Sequence, residues 1–410
     1  MSKKIKNIIL GAGPTGLSVA KKLGKNTLVV EKEDQVGGLC RSIYKDGGVF
    51  DIGGHSFHTP HQNVYEYVNE VTGGLFYQNR KAFVHVDGYL IGYPFQKNYA
   101  DIKNKKIVEE CEAGLSNIKN GLENPDNFES YIVNKFGDGI ANHFMLPYNR
   151  KLWARDLKEL SIEWTSERIA GNKNEKESFE NTGDKRKPLQ SDTKVGYPKE
   201  GGFQEIFKQV SKDIQTIDLN YDAEKISINE KTIVSKDRRK YSWENLLSTM
   251  PIPELLKLIN GVPGEINDCI RELKYMSLKV ILILTKNVHT EVQRIYVSDA
   301  NIPPHKIAFN HNSSDSLRER KNHAIMAEIS YSDTKPFDQD SVNKTIRFLH
   351  SMDFINSRED VLWTDIIDVK YAYPIYTHNR LTPNNAVETY ISNQHPNESV
   401  NLAAFSQPIT

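Results

Sequence analysis

The sequence lacks the features that mark secreted, membrane-spanning and metal-binding proteins. Its 3 cysteines, at positions 40, 111 and 269, are too few and too scattered for a disulfide framework or a Cys-x-x-Cys metal site. It has no apolar run long enough to span a membrane, and the run behind its basic first residues is too short for a signal peptide. We therefore expect a soluble, cytoplasmic protein that binds no metal.

A net charge is also absent, because 53 basic residues balance 53 acidic ones. This balance predicts no bulk attraction to nucleic acid or to an anionic membrane, so any anion site must be local. A chain of 410 residues can form two or three domains with a sizeable core. We expect a small-molecule partner, and the composition leaves a homo-oligomer open.

The sequence does contain a glycine-rich turn near its N-terminus. An apolar run reaches Gly11, Gly13 and Gly16, a helical pattern follows, and a second apolar run ends at Glu31. This order is typical of dinucleotide-binding folds, in which the glycines admit a pyrophosphate to a helix N-terminus and the acidic residue binds a ribose hydroxyl. A turn with only a packing role is the alternative interpretation.

Further glycine clusters distinguish this sequence from most NAD-dependent enzymes. Gly38 and Leu39 are followed by Arg41, as if a second loop closed on the same phosphates. A third cluster, which ends with Gly54 and His55, follows the β-rich run 48–52. Together these clusters resemble the FAD-binding half of the amine oxidase and UDP-galactopyranose mutase superfamily.

The segment from 56 to 170 predicts helices around one β-hairpin. The spacing of apolar residues predicts helices over 64–71, over 102–122 and from Asp126 onward. Asp126 and Glu129 have the spacing of a capping box. Two β-rich runs flank Asp87-Gly88, a pair typical of a type I′ turn, and the hairpin leads into a loop at 93–96.

The remaining segments predict a mobile loop and a second sheet. The stretch 171–194 is almost purely polar, which predicts a mobile surface loop. A helix is expected over 204–212, and a strand over 243–250 is expected to return to the nucleotide-binding domain. Apolar runs with no long helix between them predict an antiparallel sheet from 279–284, 294–298 and 324–330. A helix over 340–350 and a strand over 366–371 follow.

Taken in order, the motifs resemble those of the UDP-galactopyranose mutase family. Besides the glycine clusters, the matching segments are Tyr93-Pro94-Phe95-Gln96, Pro147-Tyr148-Asn149 with Trp153, Glu167-Arg168, Ser248-Thr249-Met250 and Tyr373-Pro374. The glycine clusters occur throughout the wider flavoprotein superfamily, whereas the Tyr-Pro-Phe-Gln segment and the block from Pro147 to Arg168 are more particular. The match extends from the N-terminus to about residue 380.

The resemblance implies an α/β fold with a Rossmann-like FAD-binding domain, an inserted helical subdomain and an antiparallel-sheet substrate domain. We expect the FAD domain at 1–80 and 196–265, the helical subdomain at 81–195, the sheet domain at 266–364, and an incomplete return to the FAD domain at 365–410. In that family reduced FAD acts as a nucleophile on the sugar of an NDP-hexopyranose, which becomes a furanose without net redox change. The expected cofactor is FAD, with NAD(P)H as a reductant, and the expected role is cell-surface glycan synthesis.

The resemblance also implies roles for individual residues. The expected FAD contacts are Gly11, Gly13, Gly16, Glu31, Gly38, Leu39, Arg41, Gly54 and His55. The expected nucleotide contacts are Tyr93, Gln96, Asn149 and Trp153. Arg168 would clamp the diphosphate, Tyr373 would donate its hydroxyl to it, and His55 would respond to the flavin's redox state. From the residues alone, a packed turn at 93–96, an exposed helix arginine at 168 and structural roles for Tyr373 and His55 are the alternatives.

The sequence departs from the family pattern at two places. A family arginine on a mobile loop aligns with the segment 303–309, where Lys306 is the nearest cation and lacks the guanidinium fork. The family's C-terminal Gly-Arg-Phe-Gly segment aligns with 401–407, which lacks it, so we expect an incomplete C-terminal end. A sugar-nucleotide mutase is the first hypothesis. An amine-oxidase-type or protoporphyrinogen-oxidase-type flavoprotein is the second, and a noncatalytic nucleotide-binding remnant is the third.

Overall fold

The computed structural model describes residues 3–59, 61–118, 125–165, 169, 194–393 and 400–402. The chain divides into two compact units. Unit 1 consists of Met1–Arg41, Phe203–Lys274 and Asn379–Thr410, and unit 2 consists of Ser42–Gly202 and Tyr275–His378. The domain boundaries expected from the sequence stay a prediction.

Unit 1 is built on a mixed sheet. Its strands lie in the order Ala223–Ser227, Thr232–Ser235, Lys240–Ser248, Lys3–Leu10, Thr27–Val30 and Ile217–Asp218. Val400–Leu402 also pairs with Lys240–Ser248. Lys3–Leu10 is parallel to both of its neighbours, so the predicted return of the chain over 243–250 is confirmed. Every residue of Thr27–Val30 is buried, as the continuous apolar run predicts for a central parallel strand.

Helices cover the sheet of unit 1. They are Pro14–Leu23, Glu205–Ser211, Ile252–Leu258, Gly264–Glu272 and Leu381–Asn393, with a 3₁₀ turn at Gly38–Cys40. The sequence predicted no helix or strand beyond residue 380, yet Val387 and Ile391 of the last helix join the apolar core. The reason is that this helix has only a weak amphipathic pattern, so tertiary packing stabilises it.

Unit 2 contains the second large sheet. Its strands lie in the order Val361–Pro374, Tyr275–Thr285, His323–Tyr331, Lys306–Phe309, Arg294–Val297, Ala82–Val86 and Tyr89–Gly92. Neighbouring strands are antiparallel except Arg294–Val297 and Ala82–Val86, which are parallel. The predicted antiparallel sheet and hairpin are confirmed, and Asp87 and Gly88 have the positive φ angles of 51° and 78° that the turn requires.

Helices and short sheets complete unit 2. Its helices are Gln62–Thr72, Phe95–Asn98, Lys105–Ser116, Phe128–Ile140, Leu146–Trp153, Asp315–Arg318 and Ser341–Ser351. A π-helical turn spans Ala141–Met145, and 3₁₀ turns span Tyr99–Asp101, Leu157–Glu159, Asn310–Asn312 and Arg358–Asp360. The short strand pairs are Ser42–Lys45 with Gly48–Asp51 and Phe76–Asn79 with Lys194–Tyr197.

Several local predictions were wrong in detail. The capping box is formed by Asn127 and Ser130 rather than by Asp126 and Glu129, because the Asn127 side chain accepts the Ser130 N–H at 3.0 Å. Phe95 and Gln96 begin a short helix instead of lying in a loop. The helix predicted over 102–122 begins only at Lys105, after the cap Asn104. The predicted mobile loop at 171–194 lies outside the described residues except Lys194, which begins a strand.

The largest correction concerns Lys306. The sequence predicted a mobile loop there, but Lys306–Phe309 is an interior strand paired on both sides. One face of this part of the sheet is apolar and packs into the core through residues such as Ile295, Ile307 and Ala327. The alternate residues therefore point to the opposite face, where Lys306 lies.

Candidate nucleotide and anion sites

The glycine turn of unit 1 has the geometry that its sequence predicts. Gly11 has a φ of 105°, which favours glycine. A Cβ atom at Gly16 would collide with the Gly11 carbonyl oxygen. The helix Pro14–Leu23 therefore packs against the end of its strand at a distance that only glycine permits.

The second glycine loop contacts the first. The Gly37 N–H donates to the Ala12 carbonyl at 2.8 Å, and a Cβ atom at Gly38 would lie 3.0 Å from the Gly13 Cα. Gly38 and Leu39 begin the 3₁₀ turn that keeps the second loop close to the first. The structure thus brings together the two loops that were expected to share the phosphates of a dinucleotide.

Glu31 stabilises the first turn directly. Its buried carboxylate accepts hydrogen bonds from the Ala12 N–H at 2.7 Å and the Glu33 N–H at 3.0 Å. Arg41, at the end of the second loop, places its Nη1 3.4 Å from Glu33 Oε1, and 19% of its side chain is exposed. The predicted contact of Glu31 with a ribose and that of Arg41 with FAD stay predictions.

This part of unit 1 fits a dinucleotide phosphate. The helix Pro14–Leu23 begins with proline, and no side chain among the described residues caps its N-terminus. Its first backbone amides and its dipole therefore favour an anion. At Gly13 the nearest atom to an added Cβ is the Gly38 Cα at 3.8 Å, so the absent side chain leaves room at the loop pair.

The third glycine cluster lies in unit 2 and packs on the large sheet. The Gly54 N–H donates to Glu328 Oε1 at 2.8 Å, and a Cβ atom at Gly54 would lie only 2.7 Å from the Ala308 Cβ. His55 follows with its Nε2 3.1 Å from the Ile52 carbonyl oxygen. Burial lowers the pKa of His55, so its ring is neutral at pH 7, and its contact with a flavin stays a prediction.

Four residues form what we call the charged face of the unit 2 sheet: Arg294, Tyr296, Lys306 and Glu328. Cross-strand pairing sets them in place, because Tyr296 is opposite Lys306 and Lys306 is opposite Glu328. Arg294 lies two residues before Tyr296 on the same strand and therefore shares its face. Directly opposite Arg294 is Ala308, whose small side chain admits Gly54.

A buried ion pair sits at one end of this face. Lys306 Nζ lies 2.8 Å from Glu328 Oε1, and the two side chains are 16% and 4% exposed. Burial lowers the pKa of Lys306 and raises that of Glu328, but the attraction between the two charges outweighs burial. The pKa of Lys306 is accordingly raised and that of Glu328 lowered, so both groups are charged at neutral pH.

Aromatic residues surround the middle of the charged face. Arg80 Nη2 donates to the Tyr296 hydroxyl at 2.8 Å, and the Arg80 guanidinium lies 5.2 Å from the centre of the Tyr93 ring. The Tyr93 and Tyr296 rings are 4.6 Å apart, and the Tyr148 ring meets Tyr296 edge-on at 6.0 Å. Burial raises the pKa of Tyr296, but the neighbouring Arg80, Arg294 and Lys306 lower it overall, as expected for a phenol beside three cations.

The remaining predicted substrate residues divide into two groups. Tyr93 and Lys306 take part in the cluster just described, and Tyr373 is close enough to Lys306 to raise its pKa. By contrast, Asn149 donates to the Met145 carbonyl of its own helix at 2.7 Å, and Gln96 is buried. Trp153 is buried with an indole N–H that has no hydrogen-bond partner within the described ranges. Arg168 lies outside the described residues.

Sequence reasoning missed Arg80, Arg294, Tyr296 and Glu328. A signal was present in 294–297, where a cation and a tyrosine alternate with aliphatic residues, as in a strand with one polar face. Glu328 is likewise the lone acid in the apolar run 324–329. Lone charges in strand interiors are rarely buried unless they are paired, so each of these patterns indicates a site.

The described residues lack two features that would indicate other functions. No helix in these ranges is long and apolar enough to cross a membrane. No group of three or more His, Cys, Asp or Glu side chains in the same ranges could hold a metal ion.

Comparison with known proteins shows the family. A family model described as flavin containing amine oxidoreductase matches residues 14–341. The chain belongs to this family. Such membership supports a flavin cofactor, which the loop pair of unit 1 fits.

Two mutases are among the proteins that resemble this chain in sequence. The chain is 28% identical over 165 residues to a probable UDP-galactopyranose mutase of Klebsiella pneumoniae, and 23% identical over 164 residues to the dTDP-fucopyranose mutase of Escherichia coli. Each alignment covers 38% of the chain and 43% of the relative. The chain thus matches less than half the length of either protein.

Solved structures share the fold. Reduced UDP-galactopyranose mutase superposes with a TM-score of 0.83, covering 95% of this chain and 87% of that protein at 24% identity. A protoporphyrinogen oxidase-type protein from Exiguobacterium sp. 255-15 gives 0.72, covering 98% and 94% at 14% identity. The α/β fold and the resemblance that the sequence predicted are confirmed.

Proposed function

We propose that this protein is a flavin-dependent mutase that interconverts an NDP-hexopyranose and the corresponding NDP-hexofuranose. The observation that carries the proposal is the charged face, where Arg294, Lys306 and the Tyr296 hydroxyl lie on one face of the sheet beside the third glycine cluster. Cations and phenols can bind a diphosphate through charge-assisted hydrogen bonds. An apolar amine, the substrate of the competing oxidase hypothesis, would have no use for them.

The residues would divide the substrate between them. Lys306, Arg168 and Tyr373 would hold the diphosphate, while Tyr93, Gln96, Asn149 and Trp153 would border the base and ribose. Lys306 presents its ammonium from a paired strand, so little side-chain and backbone entropy is lost when it binds. Arg168 would add the planar fork that Lys306 lacks.

The cofactor would be FAD, held by the glycine loops of unit 1. When bound and reduced, it supplies the nucleophile toward the sugar's anomeric carbon. Gly13 and Gly38 leave room for the pyrophosphate, and the first turn of Pro14–Leu23 offers its amides. Because its Nε2–H donates to the Ile52 carbonyl, the neutral ring of His55 can accept a hydrogen bond at Nδ1, which suits a partner whose protonation changes with its redox state.

The names of two relatives support a sugar-nucleotide substrate. The mutases from Klebsiella pneumoniae and Escherichia coli carry UDP-galactopyranose and dTDP-fucopyranose in their names. We therefore propose a nucleoside diphosphate hexose as the substrate, with cell-surface glycan synthesis as the role, and NAD(P)H as a reductant.

The deciding experiment is turnover under controlled redox conditions. Purified protein is incubated anaerobically with UDP-galactopyranose or dTDP-fucopyranose, with and without dithionite, and the products are separated by anion-exchange chromatography. We expect furanose only in the reduced sample, and NAD(P)H should replace dithionite if it is the reductant. Equal turnover with fully oxidised flavin would contradict the mutase mechanism, and stoichiometric hydrogen peroxide from an amine would favour the oxidase.

A further inference from the structure

Arg294 stands out on the charged face because, among the described residues, its guanidinium has neither a counter-charge nor a hydrogen-bond acceptor. It forms no ion pair and no side-chain hydrogen bond with any of the described residues, and its side chain is only partly exposed. Lys306, by contrast, is neutralised by Glu328 at 2.8 Å, and Arg80 donates to the Tyr296 hydroxyl. A partly buried guanidinium without a counter-charge is costly, and such groups are retained where a ligand supplies the missing anion.

The position of Arg294 is fixed by its surroundings. Its Nε would lie 3.4 Å from a Cβ atom at Gly54, so the guanidinium lies beside the third glycine cluster. Ala308 lies directly opposite Arg294 on the next strand. After burial, the positive charge of Arg294 contributes to the lowered pKa values of His55 and His58, and it opposes the raised pKa of Lys306, as expected for a cation close to these side chains.

Arg294 and Lys306 are diagonal neighbours on adjacent antiparallel strands. Diagonal positions are about 7–8 Å apart, and long side chains bridge that distance easily. A single carboxylate or monophosphate can contact one of these cations at hydrogen-bonding distance. A diphosphate has two linked anionic groups and can contact one cation with each. The spacing therefore suits a diphosphate that contacts both side chains.

We propose that Arg294 is a substrate-binding residue that contacts the diphosphate of the sugar nucleotide with a guanidinium fork of its own, in addition to the one proposed for Arg168. This inference rests on the proposed function. The guanidinium can donate two parallel N–H bonds to one phosphate group, while the Lys306 ammonium, already shared with Glu328, contributes a point charge to the other.

The test is calorimetric titration of UDP, uridine and inorganic pyrophosphate into wild type, Arg294→Gln and Arg294→Lys. We expect Arg294→Gln to weaken UDP and pyrophosphate binding by about ten- to a hundredfold, as for the loss of a charge-assisted bidentate contact, and to leave uridine binding unchanged. Arg294→Lys, which keeps the charge without the fork, should lie between. Arg347→Gln is the matched control, because Arg347 pairs with Asp340 on a surface helix and is 64% exposed.

Each other outcome overturns a specific claim. If wild type binds no UDP, the proposed function fails. If wild type binds UDP and both Arg294 variants bind it equally well, only the role of Arg294 fails. An equal loss of uridine affinity would assign Arg294 to the structure of the site, and a loss of bound flavin with UDP affinity unchanged would assign it to the cofactor. Arg294→Lys decides the question if Arg294→Gln does not fold.

Discussion

Lys306 and Glu328 stand directly opposite one another on neighbouring strands, and their side chains form a buried ion pair of 2.8 Å. Glu328 also accepts the Gly54 N–H, so one carboxylate ties the third glycine cluster to the sheet. Because Glu328 is buried and Lys306 is only 16% exposed, the pair is sensitive to the loss of either partner.

Glu328→Gln should destabilise the protein by about 3–5 kcal/mol, because it leaves the Lys306 ammonium buried without a counter-charge. Lys306→Met should cost a similar amount for the opposite reason. The double variant should cost clearly less than the two single changes together, since it removes both charges. Urea unfolding of the four proteins measures this, and strict additivity would show that the ion pair does not couple the two residues.

Gly13→Ala should reduce flavin binding without unfolding unit 1. An added methyl group would meet its nearest atom, the Gly38 Cα, at an ordinary contact distance of 3.8 Å, yet it would occupy the room that a pyrophosphate needs. We expect an unchanged melting temperature for flavin-free protein and a flavin content at least about tenfold lower after purification. Gly264→Ala, in a helix of the same unit with open space around it, is the control and should retain wild-type flavin.

Lys151→Met should destabilise unit 2. The Nζ of buried Lys151 lies 2.6–2.9 Å from four carbonyl oxygens, those of Val297, Asp299, Ile302 and Pro304, and shares its three N–H bonds among them. These contacts hold the segment that precedes the strand of Lys306. Removing one buried donor that serves several carbonyls should cost about 3 kcal/mol or more.

The control for Lys151→Met is Lys158→Met, because Lys158 is 66% exposed and its nearest acid, Glu129, is 3.9 Å away. We expect that variant to change the free energy of unfolding by less than about 0.5 kcal/mol. Similar unfolding midpoints for the two variants would contradict the structural role of Lys151.

His305→Asn should make the protein less sensitive to acid. Burial lowers the pKa of His305 to about 3, with Lys306, Lys151 and Lys335 lowering it further and Glu328 opposing them. Since the unfolded chain takes up this proton near pH 6.5, stability is fully present above that pH and falls as the pH decreases toward 3. The His305→Asn variant should therefore not lose this part of its free energy of unfolding as the pH decreases.

The measurement for His305→Asn is urea unfolding at pH 8.0 and pH 4.5 for both proteins. The difference at pH 8.0 gives the packing cost of the substitution, because the histidine is neutral there in both states. A variant that loses as much stability between the two pH values as wild type does would show that His305 does not contribute to acid unfolding.

Local sequence was sufficient to predict the glycine turn near the N-terminus and the hairpin at 82–92. Other residue types disfavour the positive φ angles of Gly11, Asp87 and Gly88 and the close backbone contact of Gly16. The residue types at these positions are therefore enough to predict the turns. The spacing of apolar residues also predicted the long strands, because the burial of one or both faces of a strand determines that spacing.

Only the tertiary structure decided which charges meet. Lys306 and Glu328 are separated by 21 intervening residues and Arg294 belongs to another strand, so strand register alone sets their spacing. The sequence predicted a loop at Lys306, whereas the structure places this residue in a strand that is paired on both sides. Sequence determined the residue types that a nucleotide site needs, whereas cross-strand pairing determined that Glu328 balances Lys306 and leaves Arg294 without a counter-charge among the described residues.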